Sequence, residues 1–391
     1  MHTHDDGTQL RENRQRLSGS ALAREWEPNV HQHEHKLKEF DLADLGWNSS
    51  FEDSFLELDS PAMIPARVVE QSRGMYRVRS VRREYAAQIA GKIRYLAQAG
   101  KDFPAVGDWV SILPTDEDQA RIECILPRKT KLSRKVAGRE LTEQIVAANV
   151  DTVFVVSSLN REFNLRRIER YLTLVWDSGA APVLLLNKAD LCADAGTQGN
   201  EVQNIALAIP VLLLSALQET GIESVRGHIS RGQTAAFVGS SGVGKSTIIN
   251  ALSGAPSIRV QPVREDDDRG RHTTTSRQMI FLPGGGIVID TPGMRELQLW
   301  DSKEGLSRAF EDIEALAENC KFRNCAHGGE PKCAVEAAIL EGQLTPERLE
   351  NHRKLLAELR FQQRKADPEL ARQEKEKWKK IHKVMRHKHR N

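Results

Sequence analysis

The sequence predicts a multidomain α/β protein, and three patterns along the chain support this prediction. Short stretches in which apolar and polar residues alternate, typical of a small β-barrel, lie between 66 and 112. From 141 to 299, near-continuous apolar strands alternate with helical segments, which indicates a mostly parallel sheet with helices on both faces. Beyond residue 302 the pattern is helical and encloses a Cys/His cluster. At 391 residues the chain has room for two or three domains, which we place at 61–135, 136–299 and 300–363.

The segments that flank these domains differ in composition. Residues 1–60 mix charged, polar and His residues without a sustained period, so we predict a disordered extension there. Its histidines are interpreted as part of a solvated tail rather than as metal ligands: His2, His4, His31, His33 and His35. Residues 364–391 form a predicted basic tail, with nine Lys or Arg against two Glu from residue 372 onward.

Composition and charge exclude several classes of protein. The longest apolar runs are strand length, far below the ~20 residues that a membrane helix needs. The N-terminus has no basic segment followed by an apolar one, so we predict a cytoplasmic protein with no secretory signal and no membrane partner. The net charge is only +2, but basic residues concentrate in 72–94, 128–139 and the tail. This separation favours a polyanionic partner, with solvated surface as the alternative for any single run.

The barrel is predicted from four strands separated by glycines. The strand candidates are Ala66–Val69, Met75–Arg79, Tyr85–Ile89 and Asp108–Ile112. Several strands of this length in about 70 residues indicate a small antiparallel, OB-like barrel. Arginines alternate with apolar positions, so one face can be basic and meet RNA. A purely structural barrel fits the pattern nearly as well.

The central domain carries a phosphate loop between a strand and a helix. The strand Ala235–Val238 leads into Gly239-Ser240-Ser241-Gly242-Val243-Gly244-Lys245-Ser246, and Thr247 continues into a helix. Glycines let backbone N–H groups converge on phosphate oxygens at the positive end of that helix. Lys245 is expected to reach the β- and γ-phosphates and Ser246 to bind Mg²⁺.

A second strand end supplies an acidic residue. Asp290-Thr291-Pro292-Gly293 follows the strand Ile287–Ile289. Alone this tetrad is an ordinary turn, but downstream of a phosphate loop it indicates a Mg²⁺ and γ-phosphate site. We expect Asp290 to hold Mg²⁺ through water and the Gly293 N–H to meet the γ-phosphate.

Two further strand ends carry the residues that select the base. Asn187-Lys188-Ala189-Asp190 follows the strand Val183–Leu186, and Ser215-Ala216 follows Val211–Leu214. The Asp190 carboxylate can accept both N1–H and the 2-amino group of guanine, which adenine does not offer in that arrangement. A backbone N–H of Ser215-Ala216 is expected to reach guanine O6.

The order of these segments is rotated. Ordinary GTPases carry the phosphate loop first and the guanine-reading tetrad last, whereas here the tetrad comes first. Bound nucleotide depends only on where side chains lie in space, so a rotated chain can rebuild the same pocket. The sequence therefore predicts a circularly permuted P-loop GTPase domain that hydrolyses GTP to GDP and phosphate.

The residues that position the attacking water are less well defined by the sequence. In the loop 270–275 we expect Thr274 to close over Mg²⁺ and the γ-phosphate. A Ras-type enzyme has glutamine directly after Asp-x-x-Gly, but here that position is Met294. His272 is a candidate substitute because imidazole can orient or deprotonate water, and an exposed histidine without a catalytic part is the alternative. We therefore expect slow intrinsic hydrolysis that needs a partner.

The C-terminal helical domain contains a predicted zinc site. Cys320, Cys325, His327 and Cys333 supply three thiolates and one imidazole within fourteen residues. Such a closed set of four ligands suits one structural Zn²⁺. Lys321, Arg323 and Lys332 lie among the ligands and are expected to project outward, as in nucleic-acid-binding knuckles.

With these motifs assembled, the chain resembles the ribosome small subunit-dependent GTPase A family (RsgA, also called YjeQ). The resemblance covers roughly residues 66–363 and rests on five motifs: Val106-Gly107-Asp108-Trp109, the tetrad before the phosphate loop, Gly270-Arg271-His272-Thr273-Thr274-Thr275, the Asp290 tetrad and the Cys/His knuckle. It implies an OB-fold, a circularly permuted GTPase domain and a zinc domain. It also implies nucleotide contacts at Asn187, Lys188, Asp190, Ser215, Ala216, Gly239, Ser240, Ser241, Gly242, Val243, Gly244, Lys245, Ser246, Thr247, Asp290 and Gly293.

The resemblance further implies a late factor in maturation of the small (30S) ribosomal subunit. Such a protein binds 16S rRNA near the decoding region, and the subunit stimulates its GTP hydrolysis. We expect a monomer that uses Mg²⁺ with GTP. Gly242 stands where potassium-activated GTPases have asparagine, so potassium stimulation is not expected. A nucleotide-gated RNA chaperone and a signalling GTPase with protein partners are the alternatives.

Overall fold

The computed structural model describes residues 41–72, 74–97, 100–136, 142–160, 163–254, 256, 277–290, 303–366 and 372. The predicted extension before residue 41, the loop 270–275, Gly293 and nearly all of the tail after 366 lie outside the described residues. No helix in the described part of the chain is both long and apolar enough to cross a membrane.

A closed five-stranded barrel forms the N-terminal domain. Its strands are β1 (Ile64–Ser72), β2 (Met75–Arg79), β3 (Glu84–Ile89), β4 (Trp109–Pro114) and β5 (Gln119–Ile125). They pair in the order β1-β2-β3-β5-β4, and β4 returns to β1. Alternate residues of each strand, such as Val68, Val78 and Ile112, fill the interior with no exposed surface. A short helix, α2 (Gly91–Leu96), follows β3.

The strand pattern predicted an antiparallel barrel, but one pair of neighbouring strands is parallel. β3 and β5 run parallel, with Ala87 opposite Ala120. A barrel of five strands cannot close with every neighbour antiparallel, because an odd number of alternating directions leaves one pair running the same way. The closed barrel agrees with the predicted OB-like domain.

The prediction of a disordered extension over residues 1–60 is wrong for residues 41–60, which contain two short helices. A 3₁₀ helix (Leu42–Leu45) and α1 (Ser49–Leu56) precede the barrel. Leu45 and Phe51 are buried against Trp109, whose ring lies edge-on to Trp47 with centroids 4.6 Å apart. Burial of these apolar side chains offsets the entropy of ordering the segment.

A buried arginine ties this segment to the barrel and to the next domain. Arg67 of β1 is 1% exposed, and its guanidinium donates to the carbonyls of Leu45, Gly107 (3.2 Å) and Asn149 (3.0 Å). Burial lowers the pKa of Arg67 to about 10, while the charges of Asp151 and Asp108 oppose that fall. Three segments far apart in sequence therefore meet at one side chain.

A hairpin connects the barrel to the central domain. Its strands are β6 (Lys131–Val136) and β7 (Thr142–Ala148), which pair antiparallel in a separate two-stranded sheet.

The central domain is a mostly parallel sheet, as predicted. Its strands are β8 (Thr152–Ser158), β9 (Ala181–Asn187), β10 (Val211–Leu213), β11 (Thr234–Val238), β12 (Arg277–Phe281) and β13 (Ile287–Asp290). The order is β10-β9-β8-β11-β13-β12, parallel except for β12. β12 also pairs with β1 of the barrel, so the central sheet continues into the barrel sheet.

Helices cover both faces of this sheet, because successive strand residues point to opposite sides. On one face α3 (Leu165–Ser178) packs Ile168 and Leu172 over Val153 and Val155. On the other face α5 (Ile222–Arg226) and α6 (Lys245–Ser253) pack over Phe154. The helix α4 (Ala195–Ile205) lies between β9 and β10 in the chain.

The C-terminal domain is helical. It consists of α7 (Lys303–Ala309), α8 (Glu311–Ala317), α9 (Ala334–Leu340) and α10 (Pro346–Ala366). Leu306, Phe310 and Leu359 belong to the same buried cluster as α3, so this domain packs directly on the central one.

Candidate nucleotide site and metal centre

The phosphate loop has a backbone that requires glycine at two positions. Gly239 and Gly244 have φ angles of +146° and +100°. A Cβ on Gly239 would lie 2.3 Å from the Val156 carbonyl oxygen, and one on Gly244 would lie 2.2 Å from Asn187 Nδ2. A side chain at either position would both strain the backbone and clash with a residue of a neighbouring strand.

Lys245 lies over this loop at the start of α6. Its Nζ donates to the carbonyl oxygens of Gly239 (2.8 Å) and Ser240 (2.6 Å). The ammonium is thus held above the backbone that would surround a phosphate group. Ser246 and Thr247 occupy the next two positions of the helix.

Asn187 joins the predicted base-reading loops to the phosphate loop. It ends β9, is 2% exposed, and its Nδ2 donates to the Val243 carbonyl at 2.8 Å. Its Oδ1 accepts from the Ala216 N–H at 2.9 Å. Three segments that the sequence predicted to converge therefore meet at one amide, although 56 residues separate Asn187 from Val243.

The remaining base-side residues follow Asn187 in the chain or follow the neighbouring strand β10. Lys188 has a left-handed backbone with φ +64°, and Asp190 is exposed in a 3₁₀ turn. The N–H groups of Ser215 and Ala216 already donate to Thr220 O (3.0 Å) and Asn187 Oδ1. The sequence predicts that a backbone N–H of this pair donates to guanine O6. For the Ala216 N–H to do so, its hydrogen bond to Asn187 Oδ1 must become bifurcated or break.

Sequence reasoning missed Leu217, which follows Ser215-Ala216. Its side chain is 84% exposed next to two buried residues. A large apolar side chain held open beside a base-reading loop is suited to cover the face of a planar ring. Its position directly after the Ser-Ala pair was the available signal.

Asp290 lies at the end of β13, next to the strand that leads into the phosphate loop. It is partly buried. Burial raises the pKa of the Asp290 carboxyl above its ordinary value, while the nearby Lys245 ammonium opposes that rise. The carboxylate therefore lies within reach of the electrostatic field of the Lys245 ammonium. The predicted residues His272, Thr274 and Gly293, with Met294, lie outside the described residues.

The predicted metal ligands come together. The ligand atoms of Cys320, Cys325, His327 and Cys333 all lie within 4.8 Å of one another. Cys320 Sγ lies 3.9 Å from Cys333 Sγ and 3.6 Å from His327 Nδ1, which lies 3.4 Å from Cys333 Sγ. Tetrahedral bonds of ~2.3 Å to sulfur imply edges of about 3.8 Å, so these residues fit a four-coordinate metal ion.

Backbone N–H groups donate to two of the cluster's sulfur atoms, those of Cys320 and Cys333, whereas burial raises the pKa of Cys325 to about 11. Cys333 caps α9 and accepts from the Glu336 N–H at 3.5 Å. Burial raises the pKa of Cys320, but backbone hydrogen bonds from Ala334 and Val335 help to bring it below its ordinary value overall. The helix terminus thus supplies part of the compensation that bound thiolates need.

The basic residues of the knuckle point away from the metal ligands. Lys321, Arg323 and Lys332 are all exposed, as predicted. The loop that carries them is fixed by Glu330, which accepts from the N–H groups of Ala326 (3.0 Å) and Gly328 (2.6 Å).

Fold and site together define a class of protein. A phosphate loop, a base-reading tetrad and a carboxylate occupy the ends of strands of one parallel sheet, in rotated chain order. A barrel precedes them and a metal-binding helical domain follows. This is a circularly permuted GTPase.

Comparison with known proteins narrows the class to a family. The family model described as RsgA GTPase matches residues 125–300. Small ribosomal subunit biogenesis GTPase RsgA 2 of Lactiplantibacillus plantarum is 47% identical over 299 residues, which cover 76% of this chain and 84% of that protein. The RsgA of Methanosarcina acetivorans is 44% identical over 337 residues, 86% of this chain and 90% of that one.

A solved structure agrees with these relatives. The crystal structure of YjeQ from Thermotoga maritima matches with a TM-score of 0.59 and 28% identity, over 76% of this chain and 98% of that one. The chain belongs to the RsgA GTPase family and hydrolyses GTP. The resemblance inferred from the motifs is thereby confirmed.

Proposed function

We propose that this GTPase acts in late maturation of the small ribosomal subunit, binding 16S rRNA and hydrolysing GTP faster when the subunit is bound. One structural observation carries the nucleotide part: Asn187 ties the base-reading loops to the phosphate loop. The ribosomal part is supported by relatives named for small ribosomal subunit biogenesis. Acting on that partner, the protein works in the cytoplasm as a monomer.

The base is selected by Asp190, whose carboxylate accepts from guanine N1–H and the 2-amino group. Lys188 and Leu217 flank the ring. The Ala216 N–H shifts from Asn187 Oδ1 toward guanine O6 when the base binds. Because a site with paired hydrogen-bonding groups rejects a base that leaves them unpaired, this arrangement discriminates against adenine.

The phosphates are held by the loop Gly239–Thr247. Lys245 leaves its two carbonyl acceptors for the β- and γ-phosphate oxygens, which attract it more strongly because they are charged. Ser246 and Thr274 would hold Mg²⁺, with Asp290 acting through water, and the Gly293 N–H would meet the γ-phosphate. Mg²⁺ held there would stabilise negative charge on the phosphates during hydrolysis.

Water is positioned by His272 rather than by a glutamine, because Met294 occupies the glutamine position. An imidazole can orient the nucleophile or accept its proton. Intrinsic hydrolysis is slow in this arrangement, and the bound subunit raises its rate.

The metal ion in the C-terminal domain is one structural Zn²⁺. The S₃N ligand set leaves no open position for substrate. Lys321, Arg323 and Lys332 contact rRNA phosphates from this domain, and the barrel contacts rRNA as well.

Phosphate release measured with and without purified 30S subunits tests the proposal. The expected result is a marked rise in rate with 30S subunits and none with 50S subunits. An equal rate in both mixtures would overturn the ribosomal role, while leaving the nucleotide site untouched. RNase treatment of a pull-down separates the signalling alternative, because protein partners would persist.

A further inference from the structure

A second cation contacts the phosphate loop besides Lys245. Arg167, in the first turn of α3, donates from its guanidinium to the Ser240 hydroxyl at 3.0 Å. Neither the motif spacing nor the assigned nucleotide contacts include this arginine. It comes from the helix after β8, 73 residues away from Ser240 in the chain.

Arg167 and Lys245 share one residue of the loop. Lys245 Nζ bonds the Ser240 carbonyl at 2.6 Å, while Arg167 bonds the Ser240 side chain. When phosphate draws Lys245 away, Ser240 loses the lysine contact. The arginine contact then remains to hold the start of the loop, where backbone N–H groups must converge on the phosphates.

The helix that presents Arg167 is fixed at its N-terminus. Asn164 caps α3, and its Oδ1 accepts the Arg167 N–H at 3.1 Å. Two residues further on, Glu169 has no exposed surface and accepts from Arg166 at 2.8 Å and from Arg348 of α10 at 2.8 Å.

The C-terminal domain holds the same helix at a second residue, Arg170, and Arg348 is itself fixed within that domain. Arg348 also pairs with Asp312 of α8 at 2.6 Å and 2.8 Å. Arg170 pairs with Glu358 of α10 through both carboxylate oxygens, at 2.6 Å and 2.7 Å. Buried and bidentate ion pairs of this kind cannot be broken singly without leaving a desolvated charge, so α3 is held rigidly.

We propose that Arg167 is a positioning residue for GTP hydrolysis, acting through Ser240 to keep the phosphate loop in its binding shape while Lys245 engages the nucleotide. The rigidity of α3, imposed by the metal-binding domain, gives the contact its precision. This inference rests on the proposed nucleotide site, but it does not depend on the ribosomal partner.

Steady-state GTP hydrolysis by the full-length protein, without ribosomal subunits, tests the proposal. Arg167→Ala and Ser240→Ala each lower kcat about tenfold, equivalent to ~1.4 kcal/mol, with a smaller change in KM. Because both variants remove the same contact, the double variant is no worse than either single one. Arg167→Lys, which can still donate to Ser240, recovers part of the rate.

Arg360→Ala, at an exposed position of α10, is the matched control. It removes the same charge from a helix surface and leaves the ion pairs of Glu169 intact. Its kcat should match the parent protein. Losses in the double variant that multiply, or a parent-like kcat for Arg167→Ala, would overturn the proposal. Circular dichroism spectra of all variants, matched to the parent, exclude unfolding as the cause of a lower rate.

Discussion

Replacing Asn187 with alanine removes the amide that joins the base-reading loops to the phosphate loop. Two hydrogen bonds are lost, to the Val243 carbonyl and from the Ala216 N–H. At about 1 kcal/mol for each bond, the central domain loses about 2 kcal/mol of stability. For a domain of this size, that corresponds to a fall in Tm of roughly 4–8 °C. GDP binding weakens as well, because the two loops are no longer held together.

Thermal unfolding and titration with a fluorescent GDP analogue measure both effects. Asn187→Asp separates the two bonds: it keeps an acceptor for Ala216 but places an oxygen against the Val243 carbonyl. Asn204→Ala, at an exposed position of α4, is the matched control and should leave both measurements unchanged. Parent-like stability and GDP affinity for Asn187→Ala would refute the role of this residue as the joint.

Three further predictions concern other parts of the molecule. Gly244→Ala should weaken GTP binding at least about tenfold, because the added Cβ would lie 2.2 Å from Asn187 Nδ2. At the other end of α6, the Cβ added by Gly254→Ala would enter open space, so this variant should bind GTP normally in the same titration. Cys333→Ser should lose stoichiometric zinc in elemental analysis and have a lower Tm, whereas Cys192→Ser, which lies outside the cluster, should retain its zinc. Equal zinc content in the two variants would contradict the assigned ligands. Arg67→Met leaves three carbonyl groups without their donor and should lower the free energy of unfolding by about 3 kcal/mol, as measured with denaturant. Arg121→Met, at a half-exposed position, should lower it by less than about 0.5 kcal/mol. Similar losses in the two variants would refute the role of Arg67 in joining the three segments.

The central sheet and the metal ligands were predictable because their signals are local. Apolar strands followed at once by glycines, Asn187 or Asp290 mark strand ends, and strand ends of a parallel sheet share one edge. Four ligands within fourteen residues have little freedom to lie apart. These features depend on short-range spacing, which a single sequence carries in full.

Features set by long-range packing were not predictable in the same way. The alternating pattern of its strand predicts that Arg67 is a surface residue. Its burial depends on the carbonyls of Leu45 and Asn149, which only the folded chain brings close to it. The contact of Arg167 with Ser240 depends on how α3 lies over the sheet. The helix at Ser49–Leu56 was missed because its few apolar residues are diluted in the polar composition of residues 1–60.

The central claim is that segments in rotated order rebuild one guanine site, and the base preference of Asp190→Asn tests it most directly. Xanthine carries a carbonyl where guanine carries its 2-amino group, so an asparagine amide can donate where the aspartate accepted. The account predicts that this variant loses at least about 100-fold in GTP hydrolysis and gains activity with XTP. Asp194→Asn, an exposed neighbour, should keep the parent's preference for GTP. An Asp190→Asn variant that still prefers GTP would contradict the account.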